Sequence, residues 1–144
     1  FGTPSMATVT IIVVSIWQNI GFLMIIYTAG LQTIPKDVME SAELDGCSGL
    51  KKVLKIELPL LMPTVTINLF VSISGAFKSF DIPNAMTGGG PYGSTMPVAM
   101  NIYQEAFTKY NLGYGSAKSV ILFLTVAAVT LIQLYCTRKK EVEY

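Results

Sequence analysis

Carboxylates, cysteines and glycine-rich turns are the residues of this 144-residue chain that could support chemistry. Most of the carboxylates lie between Pro35 and Pro63, where acid–base catalysis would require two of them to converge on one reacting group. No nucleophile is paired with a base there, and the absence of histidine from the chain excludes histidine-based metal sites and triads. We therefore predict no catalytic residue and no metal site, which argues against an enzyme.

A cluster of glycines formally matches a nucleotide-binding pattern. Gly88, Gly90 and Gly93 satisfy G-x-G-x-x-G. However, no predicted strand precedes them, Pro91 interrupts the backbone amides, and no acidic residue follows at the required distance. The chain also lacks a Gly-Lys-Ser/Thr phosphate loop. We therefore expect no cofactor on this chain, and if the system uses ATP another chain must bind it.

The composition indicates a membrane protein. Hydrophobic residues make up 51% of the chain, charged residues only 13%, and the mean hydropathy is +0.53, whereas about a quarter of the residues of a soluble domain are charged. The net charge of +1 gives no reason to expect nucleic acid as a partner. Cys47 and Cys136 are expected to be free thiols that face the reducing cytoplasm.

Three apolar runs are candidates for membrane-spanning helices. Ala7–Leu31 carries no charged residue and exceeds the roughly 20 residues that a span requires. Met62–Phe77 and Ser119–Thr137 are near the lower limit for a bilayer core of about 30 Å. We predict an all-α, polytopic protein whose spans cover about residues 7–31, 62–82 and 118–137.

Basic residues set the expected orientation, since Lys and Arg near the ends of spans favour the cytoplasmic side. They are Lys36, Lys51, Lys52 and Lys55 after the first span, Arg138, Lys139 and Lys140 after the third, and only Lys78, Lys109 and Lys118 elsewhere. Two crossings separate the two clusters, so we expect an outward N-terminus and a cytoplasmic C-terminus. An outward end without an initiating Met or a signal peptide predicts a C-terminal fragment.

The polar connection between the first two spans has the periodicity of two helices. A helix is predicted over Lys36–Asp45, with Gly46 as its stop, and Ser48 is placed to cap a second helix. The second helix carries apolar Leu50, Val53, Leu54 and Leu58 opposite basic Lys51, Lys52 and Lys55. It should therefore lie along the membrane surface. Pro59 and Pro63 are expected to redirect the chain into the second span.

Polar residues interrupt the first span near its middle. Gln18, Asn19 and Gly21 should face protein or water, because an unsatisfied amide is costly in lipid. They are compatible either with packing against a neighbouring helix or with a transport path. At the far end of the second span, Lys78 either snorkels to the interface or pairs with Asp81, unless it contacts a ligand.

The connection between the second and third spans, residues 84–114, is expected on the outer side. Thr87–Pro91 is a turn cluster. Ser94–Thr108 is predicted to form a short amphipathic helix that carries Tyr103 and Phe107 at i,i+4 spacing. The tyrosines of this loop suit an aromatic belt at the membrane surface.

One spacing in the first polar connection is more specific than its helices. The pattern consists of Glu40-Ser41-Ala42, Gly46 after three residues, and Ile56, Leu58 and Pro59 after nine more. It resembles the cytoplasmic EAA loop of the membrane subunits of binding-protein-dependent ABC importers, in which Glu-Ala-Ala, Gly and Ile-x-Leu-Pro recur at these intervals. Ser41 replaces one small residue by another.

Further residues extend the resemblance over almost the whole chain. They are Asp45-Gly46, Leu58-Pro59-Leu60-Leu61 with Pro63, Thr87-x-Gly-Gly-Pro91, Ser94-Thr95, Tyr103 and Gly113-Tyr114-x-Ser-Ala117. They are similar to the carbohydrate-uptake branch, typified by the larger maltose permease subunit and the glycerol-phosphate permease. The resemblance implies that residues 1–144 are the C-terminal part of one permease transmembrane domain in a prokaryotic inner or plasma membrane.

The resemblance also implies partners and a coupling role for residues 34–61. The first helix of this loop would dock into a cleft of an ATP-hydrolysing subunit. The implied coupling residues are Glu40, Ser41, Ala42, Asp45, Gly46, Ile56, Leu58 and Pro59. The implied partners are an ATP-binding cassette ATPase dimer that holds ATP and Mg, a second permease subunit, an extracytoplasmic solute-binding protein and the lipid bilayer. ATP binding would bias an inward- against an outward-facing packing of the spans.

Members of the maltose type bind sugar with side chains from the spans on either side of this loop. Alignment on the loop places Gln18, Asn19, Phe22 and Ser72 at or beside such positions. Polar groups with one aromatic ring suit a sugar. Ala76 stands where an amide is expected, which leaves the identity of the solute open.

Two functions of other classes are compatible with the residues alone. Lys78, Asp81 and the polar break in the first span would suit a channel or an ion-driven transporter. A polar cytoplasmic loop would also suit a non-transporting scaffold that anchors a partner. Uptake that continues without an ATPase subunit but stops when the ion gradient is removed would indicate a channel or an ion-driven transporter.

Overall fold

The computed structural model describes residues 2–138, in which every regular element is a helix. Seven helices follow along this part of the chain: α1 Pro4–Gln32, α2 Lys36–Leu44, α3 Leu50–Leu60, α4 Met62–Phe77, α5 Asp81–Thr87, α6 Val98–Tyr103 and α7 Leu112–Arg138. A π-helical turn, Val53–Glu57, lies within α3, and another, Gln104–Thr108, continues α6. The prediction of an all-α protein is confirmed. Lys139 and Lys140, used above for orientation, lie outside the described residues.

The long helices are consistent with membrane spans. α1 and α7, with 29 and 27 residues, are each long and apolar enough to cross a membrane, and α3 with α4 passes the same test as a pair bent by 69°. α7 begins at Leu112, before the predicted 118. α4 ends at Phe77, short of the predicted 82. The amides of Lys78 and Ser79 bond to carbonyls three residues earlier, and α5 starts afresh at Asp81.

The end of α4 distinguishes two interpretations of Lys78. The lysine is exposed, and none of the ion pairs within residues 2–138 joins it to Asp81. The predicted pairing is therefore wrong, whereas an exposed ammonium on a long apolar stem agrees with snorkelling.

The described residues form two compact units. One comprises the residues up to Ile20 together with Ser72–Thr130, and the other comprises Gly21–Val71 together with the residues from Leu131 onward. The long helices α1, α4 and α7 each contribute to both units, while the loop from α2 to α3 belongs entirely to the second.

Carboxamide side chains join the helices of the second unit. Asn68 of α4, only 3% exposed, donates from Nδ2 to the carbonyl of Leu23 in α1 at 3.5 Å. Gln133 of α7 donates from Nε2 to the carbonyl of Thr66 in α4 at 3.4 Å. In this unit, α4 is thus hydrogen-bonded to both of the other long helices.

A carboxylate between two lysines joins α6 to α7 in the first unit. Glu105 Oε1 lies 2.8 Å from Lys109 Nζ and 3.5 Å from Lys118 Nζ. Lys118 also donates to Asn101 Oδ1 at 2.7 Å and lies 4.4 Å from the centre of the Tyr114 ring. The hydrogen bond from Lys109 outweighs the opposing effect of desolvation and, with the charges of both lysines, holds the pKa of Glu105 below its usual range.

The helix of the connection between the second and third long helices, α4 and α7, starts later than predicted. α6 begins at Val98 rather than at Ser94, because Pro97 disfavours helical backbone at the residue before it. The predicted ring pair is present, since the ring centres of Tyr103 and Phe107 lie 5.2 Å apart.

Candidate functional site

Helix α2 has an exposed face that combines charge with an apolar tip. Glu40, Ser41 and Leu44 lie on this face, since residues three and four apart share one side of a helix, and all three are exposed. Leu44 is 90% exposed. A single exposed leucine is ordinary on a protein surface, but this one adjoins the carboxylate predicted to meet a partner. We call Glu40, Ser41 and Leu44 the α2 face.

Ala42 lies on the opposite side of α2. It is 6% exposed, and Ile34, which precedes the helix, is 7% exposed. Ala42 is one of the coupling residues implied by the loop pattern. The structure buries Ala42 in the packing of the chain itself.

Gly46 ends α2 in a Schellman motif. Its φ is +72°, its amide donates to the carbonyl of Glu43 at 3.0 Å, and the amide of Cys47 donates to the carbonyl of Ala42 at 2.9 Å. These bonds satisfy carbonyls that have no partner within the helix. The prediction that Gly46 stops the helix is confirmed. Its cause is the backbone conformation, because nothing lies within 4 Å of a Cβ built there. Asp45, the C-cap residue, is exposed.

Helix α3 begins one residue later than a cap at Ser48 would place it. Gly49, with a φ of +58°, occupies the N-cap position. The amides of Lys52 and Val53 donate to its carbonyl at 3.1 and 3.3 Å. The predicted cap at Ser48 is therefore wrong, because a glycine in the left-handed region makes the turn into the helix.

A wide turn accommodates Pro59 within α3. The amide of Leu58 donates to the carbonyl of Val53, five residues earlier. Proline lacks an N–H and its ring excludes a carbonyl four residues back, which a π-helical turn relieves. The bend into α4 falls at Leu61 rather than at either proline. Pro63 lies in the first turn of α4, where its missing N–H is tolerated.

The predicted coupling residues of α3 lie apart from the α2 face. Ile56 and Pro59 are half-buried, and Leu58 is 44% exposed. No hydrogen bond within residues 2–138 joins any of them to the α2 face. The structure therefore separates the predicted coupling residues of α3 from Glu40 and Ser41 on the α2 face.

A salt bridge joins α2 to α3. Lys52 Nζ lies 2.7 Å from Glu43 Oε1, with the lysine side chain 15% exposed and the glutamate side chain 64% exposed. The hydrogen bond from Lys52, reinforced by its charge, lowers the pKa of Glu43. Sequence reasoning placed Lys52 among the surface lysines and missed the pair. Its two residues stand nine positions apart on different helices, so no helical periodicity reveals them.

Three of the four residues predicted for the solute path lie near the middle of α1. Gln18 and Phe22 are one turn apart on the same side and are both exposed. Asn19 is also exposed, but its side-chain amide donates to the carbonyl of Ser15 at 2.8 Å. Ser72 is exposed on another helix, α4. The structure thus leaves the side chains of Gln18 and Phe22 exposed and uses the Asn19 amide within the helix.

Comparison with known proteins matches almost the whole chain to one family. Residues 2–142 match the family described as binding-protein-dependent transport system inner membrane component. The match includes the loop from α2 to α3 and all three long helices.

Individual relatives agree with this match. The chain is 39% identical over 133 residues to the probable starch degradation products transport system permease protein of Thermoanaerobacterium thermosulfurigenes, covering 92% of the chain and 46% of that protein. It is 38% identical over 136 residues to the trehalose/maltose transport system permease protein of Thermococcus litoralis, covering 92% and 45%. It is 37% identical over 131 residues to the sn-glycerol-3-phosphate transport system permease protein of Brucella abortus, covering 90% and 45%. The chain spans about half the length of these relatives.

Proposed function

We propose, because the chain belongs to the family of binding-protein-dependent transport system inner membrane components, that it forms part of the permease of an ATP-driven importer. It is a multi-pass membrane protein. The names of its relatives refer to starch degradation products, trehalose and maltose, and glycerol phosphate, so we propose a sugar or related polar solute. In this role the chain is a transport subunit and not an enzyme.

The proposed importer contains three further components besides this chain. An ATPase dimer binds ATP and Mg on the cytoplasmic side, a second permease subunit completes the path through the bilayer, and a solute-binding protein delivers the solute from outside. The chain is placed in a prokaryotic plasma membrane with its N-terminal end outward and its C-terminal end in the cytoplasm. The lysines of α2 and α3 support this orientation.

The α2 face is the observation that supports the proposal most directly. Glu40 offers exposed carboxylate oxygens for charge-assisted hydrogen bonds from a cationic partner group, while Leu44 offers an exposed apolar side chain. The Schellman motif at Gly46 fixes the end of the helix without covering either residue. A short helix with one exposed face, ended by its own backbone bonds, suits insertion into a cleft of another subunit.

The solute path is proposed along the exposed side of α1. Gln18 supplies hydrogen-bonding groups and Phe22, one turn away, supplies a ring face, a combination that suits the hydroxyls and the apolar face of a sugar. Ser72 of α4 is proposed as a further polar contact. Ala76 lacks the amide expected of a maltose-type path, so the solute is proposed as a class and not as maltose itself.

Two substitutions in the loop test the proposed function. Glu40→Lys reverses the charge of the α2 face, and Gly46→Asp adds a charged side chain in the open space beside it. In the full-length assembly, both should abolish solute uptake and weaken retention of the ATPase while leaving membrane insertion intact. Lys55→Glu, also an exposed charge reversal in the loop, is the control and should retain uptake. Normal uptake in both loop variants would contradict the proposal, as would uptake driven by an ion gradient without the ATPase.

A further inference from the structure

The segment between α2 and α3 contains two glycines in the left-handed region. Gly46 has a φ of +72° and Gly49 a φ of +58°. No atom lies within 4 Å of a Cβ built at either glycine, so surrounding side chains do not hold these two positions in place. Glycine has wide conformational freedom. Backbone hydrogen bonds fix the end of α2 at Gly46 and the start of α3 at Gly49, but no backbone bond within residues 2–138 joins the two helices. The backbone of this segment alone therefore leaves the direction of α2 relative to α3 weakly determined.

A salt bridge spans this segment. It joins Glu43, in the last turn of α2, to Lys52, in the first turn of α3, at 2.7 Å. The Lys52 side chain is largely covered, at 15% exposure, which limits the number of rotamers in which its ammonium can point elsewhere. Lys51 and Lys55 of the same helix are exposed, and neither takes part in an ion pair among residues 2–138.

From α3, the chain continues into α4 through backbone hydrogen bonds. The amide of Leu61 donates to the carbonyl of Glu57 at 2.9 Å, and the amide of Val65 donates to the carbonyl of Leu61 at 3.0 Å. Both bonds end at Leu61, so this one residue separates α3 from α4 at the bend of 69°. A displacement of α3 reaches α4 across one residue, whereas a displacement of α2 must cross the five residues 45–49, which include both glycines.

We infer that Lys52 is a positioning residue that, with Glu43, makes α2 and α3 move as one body when the ATPase closes. This inference rests on the proposed function. Without the salt bridge, movement of α2 is partly absorbed at Gly46 and Gly49, so less of it reaches α4. Lys52 touches neither solute nor nucleotide in this role. An ion pair whose carboxylate is 64% exposed contributes little to the stability of a protein, so its loss should reduce coupling and not folding.

The test measures solute transported per ATP hydrolysed, with the full-length permease, its ATPase dimer and its binding protein in vesicles. Lys52→Ala and Glu43→Ala should each lower this ratio by up to about fivefold, the factor that corresponds to the free energy of an exposed ion pair. Retention of the ATPase should be unchanged. The matched controls Lys51→Ala and Lys55→Ala remove equivalent positive charges from the same helix and should keep the parental ratio.

Rescue variants show whether the salt bridge itself, and not one of its two residues alone, maintains the ratio of solute transported to ATP hydrolysed. Lys52→Arg keeps the cation and should keep the ratio, and the double variant Glu43→Lys with Lys52→Glu restores the bridge in reverse and should recover most of the loss. Failure of the reversed pair to recover, with Lys52→Arg active, would overturn the pairing. If Lys52→Ala does not reach the membrane, Lys52→Gln is measured in its place.

Gly46→Asp, assayed alongside, distinguishes failure of the inference from failure of the proposed function. If Gly46→Asp abolishes uptake while Lys52→Ala behaves like Lys51→Ala, the inference is wrong and the proposed function stands. If Gly46→Asp and Glu40→Lys both leave uptake normal, the proposed function itself is wrong.

Discussion

Gly30 of α1 approaches Thr64 of α4 so closely that a Cβ on the glycine would lie 2.2 Å from the threonine Oγ1 and 2.9 Å from its Cβ. Because the Cβ of Thr64 is itself too close, rotation about χ1 cannot relieve the overlap. The two backbones can therefore approach this closely only with glycine at this position, as is common where helices pack in membranes.

Gly30→Ala should destabilise the second unit by about 1–3 kcal/mol, the usual cost of overpacking. The thermal midpoint of the purified protein in detergent measures this. Gly21→Ala is the matched control, since Gly21 lies on the same helix with nothing within 4 Å of a Cβ, and it should cause no loss. Thr64→Ala should partly restore the Gly30→Ala variant. Equal midpoints for the two glycine variants would contradict the packing described here.

Asn68 is buried with its Oδ1 unpartnered among the described residues, while its Nδ2 makes one long bond to the Leu23 carbonyl. Asn68→Leu removes both groups at similar volume and should change the free energy of unfolding by less than about 1 kcal/mol, since interhelical hydrogen bonds in membranes average about 0.6 kcal/mol. Asn68→Asp places a carboxylate at the same position and should cost roughly 3 kcal/mol. Chemical unfolding in mixed micelles would compare the two, and a large loss in Asn68→Leu would show that the amide bond matters more than expected.

The lowered pKa of Glu105 predicts that the stability of the connection between α4 and α7 depends on pH. The hydrogen bond from Lys109 stabilises the ionised carboxylate in the folded state. A depressed folded-state pKa gives stability that is complete above the unfolded-state pKa, about 4.3, and is lost as pH falls through the folded-state value. The thermal midpoint should therefore be nearly level from neutral pH down to about pH 5 and fall below it. Glu105→Gln should flatten the acid limb, and an unchanged limb would contradict the assignment.

Leu44 is predicted to contribute to retention of the ATPase. Leu44→Asp should weaken co-purification of the ATPase while leaving membrane yield and thermal midpoint unchanged, because the residue is 90% exposed and packs little against its own chain. Leu50→Asp is the control: Leu50 is also strongly exposed, at 79%, but lies on α3, outside the α2 face. If both substitutions release the ATPase equally, the surface that binds the ATPase is not confined to the α2 face.

Local rules predicted much of the loop. The helix at α2 follows from its periodicity, and its end follows from Gly46, whose Schellman bonds are the expected backbone solution for a glycine after a helix. The prediction of a cap at Ser48 was wrong because Gly49, with a positive φ, occupies the N-cap position. Single-residue preferences do not decide between a serine cap and a glycine turn. α6 starts late because Pro97 restricts the residue before it.

Contacts between helices were not predictable in the same way. The Glu43–Lys52 bridge depends on the angle of the intervening turn, and the approach of Gly30 to Thr64 depends on how α1 and α4 pack. Neither leaves a periodic signal in the sequence. Residues that the loop pattern grouped together, such as Glu40 and Ala42, turn out to lie on opposite sides of one helix, where one is exposed and the other is buried.

The salt bridge between Glu43 and Lys52 depends on the number of residues between the two side chains as well as on their identity. Successive residues of a helix are rotated by about 100°, so deleting one residue between Gly49 and Lys52 would swing the lysine away from Glu43 without changing either side chain. An insertion there would do the same in the other direction. Single-residue gaps should thus be tolerated poorly in this segment, even though it is exposed to solvent, where surface loops ordinarily accept them.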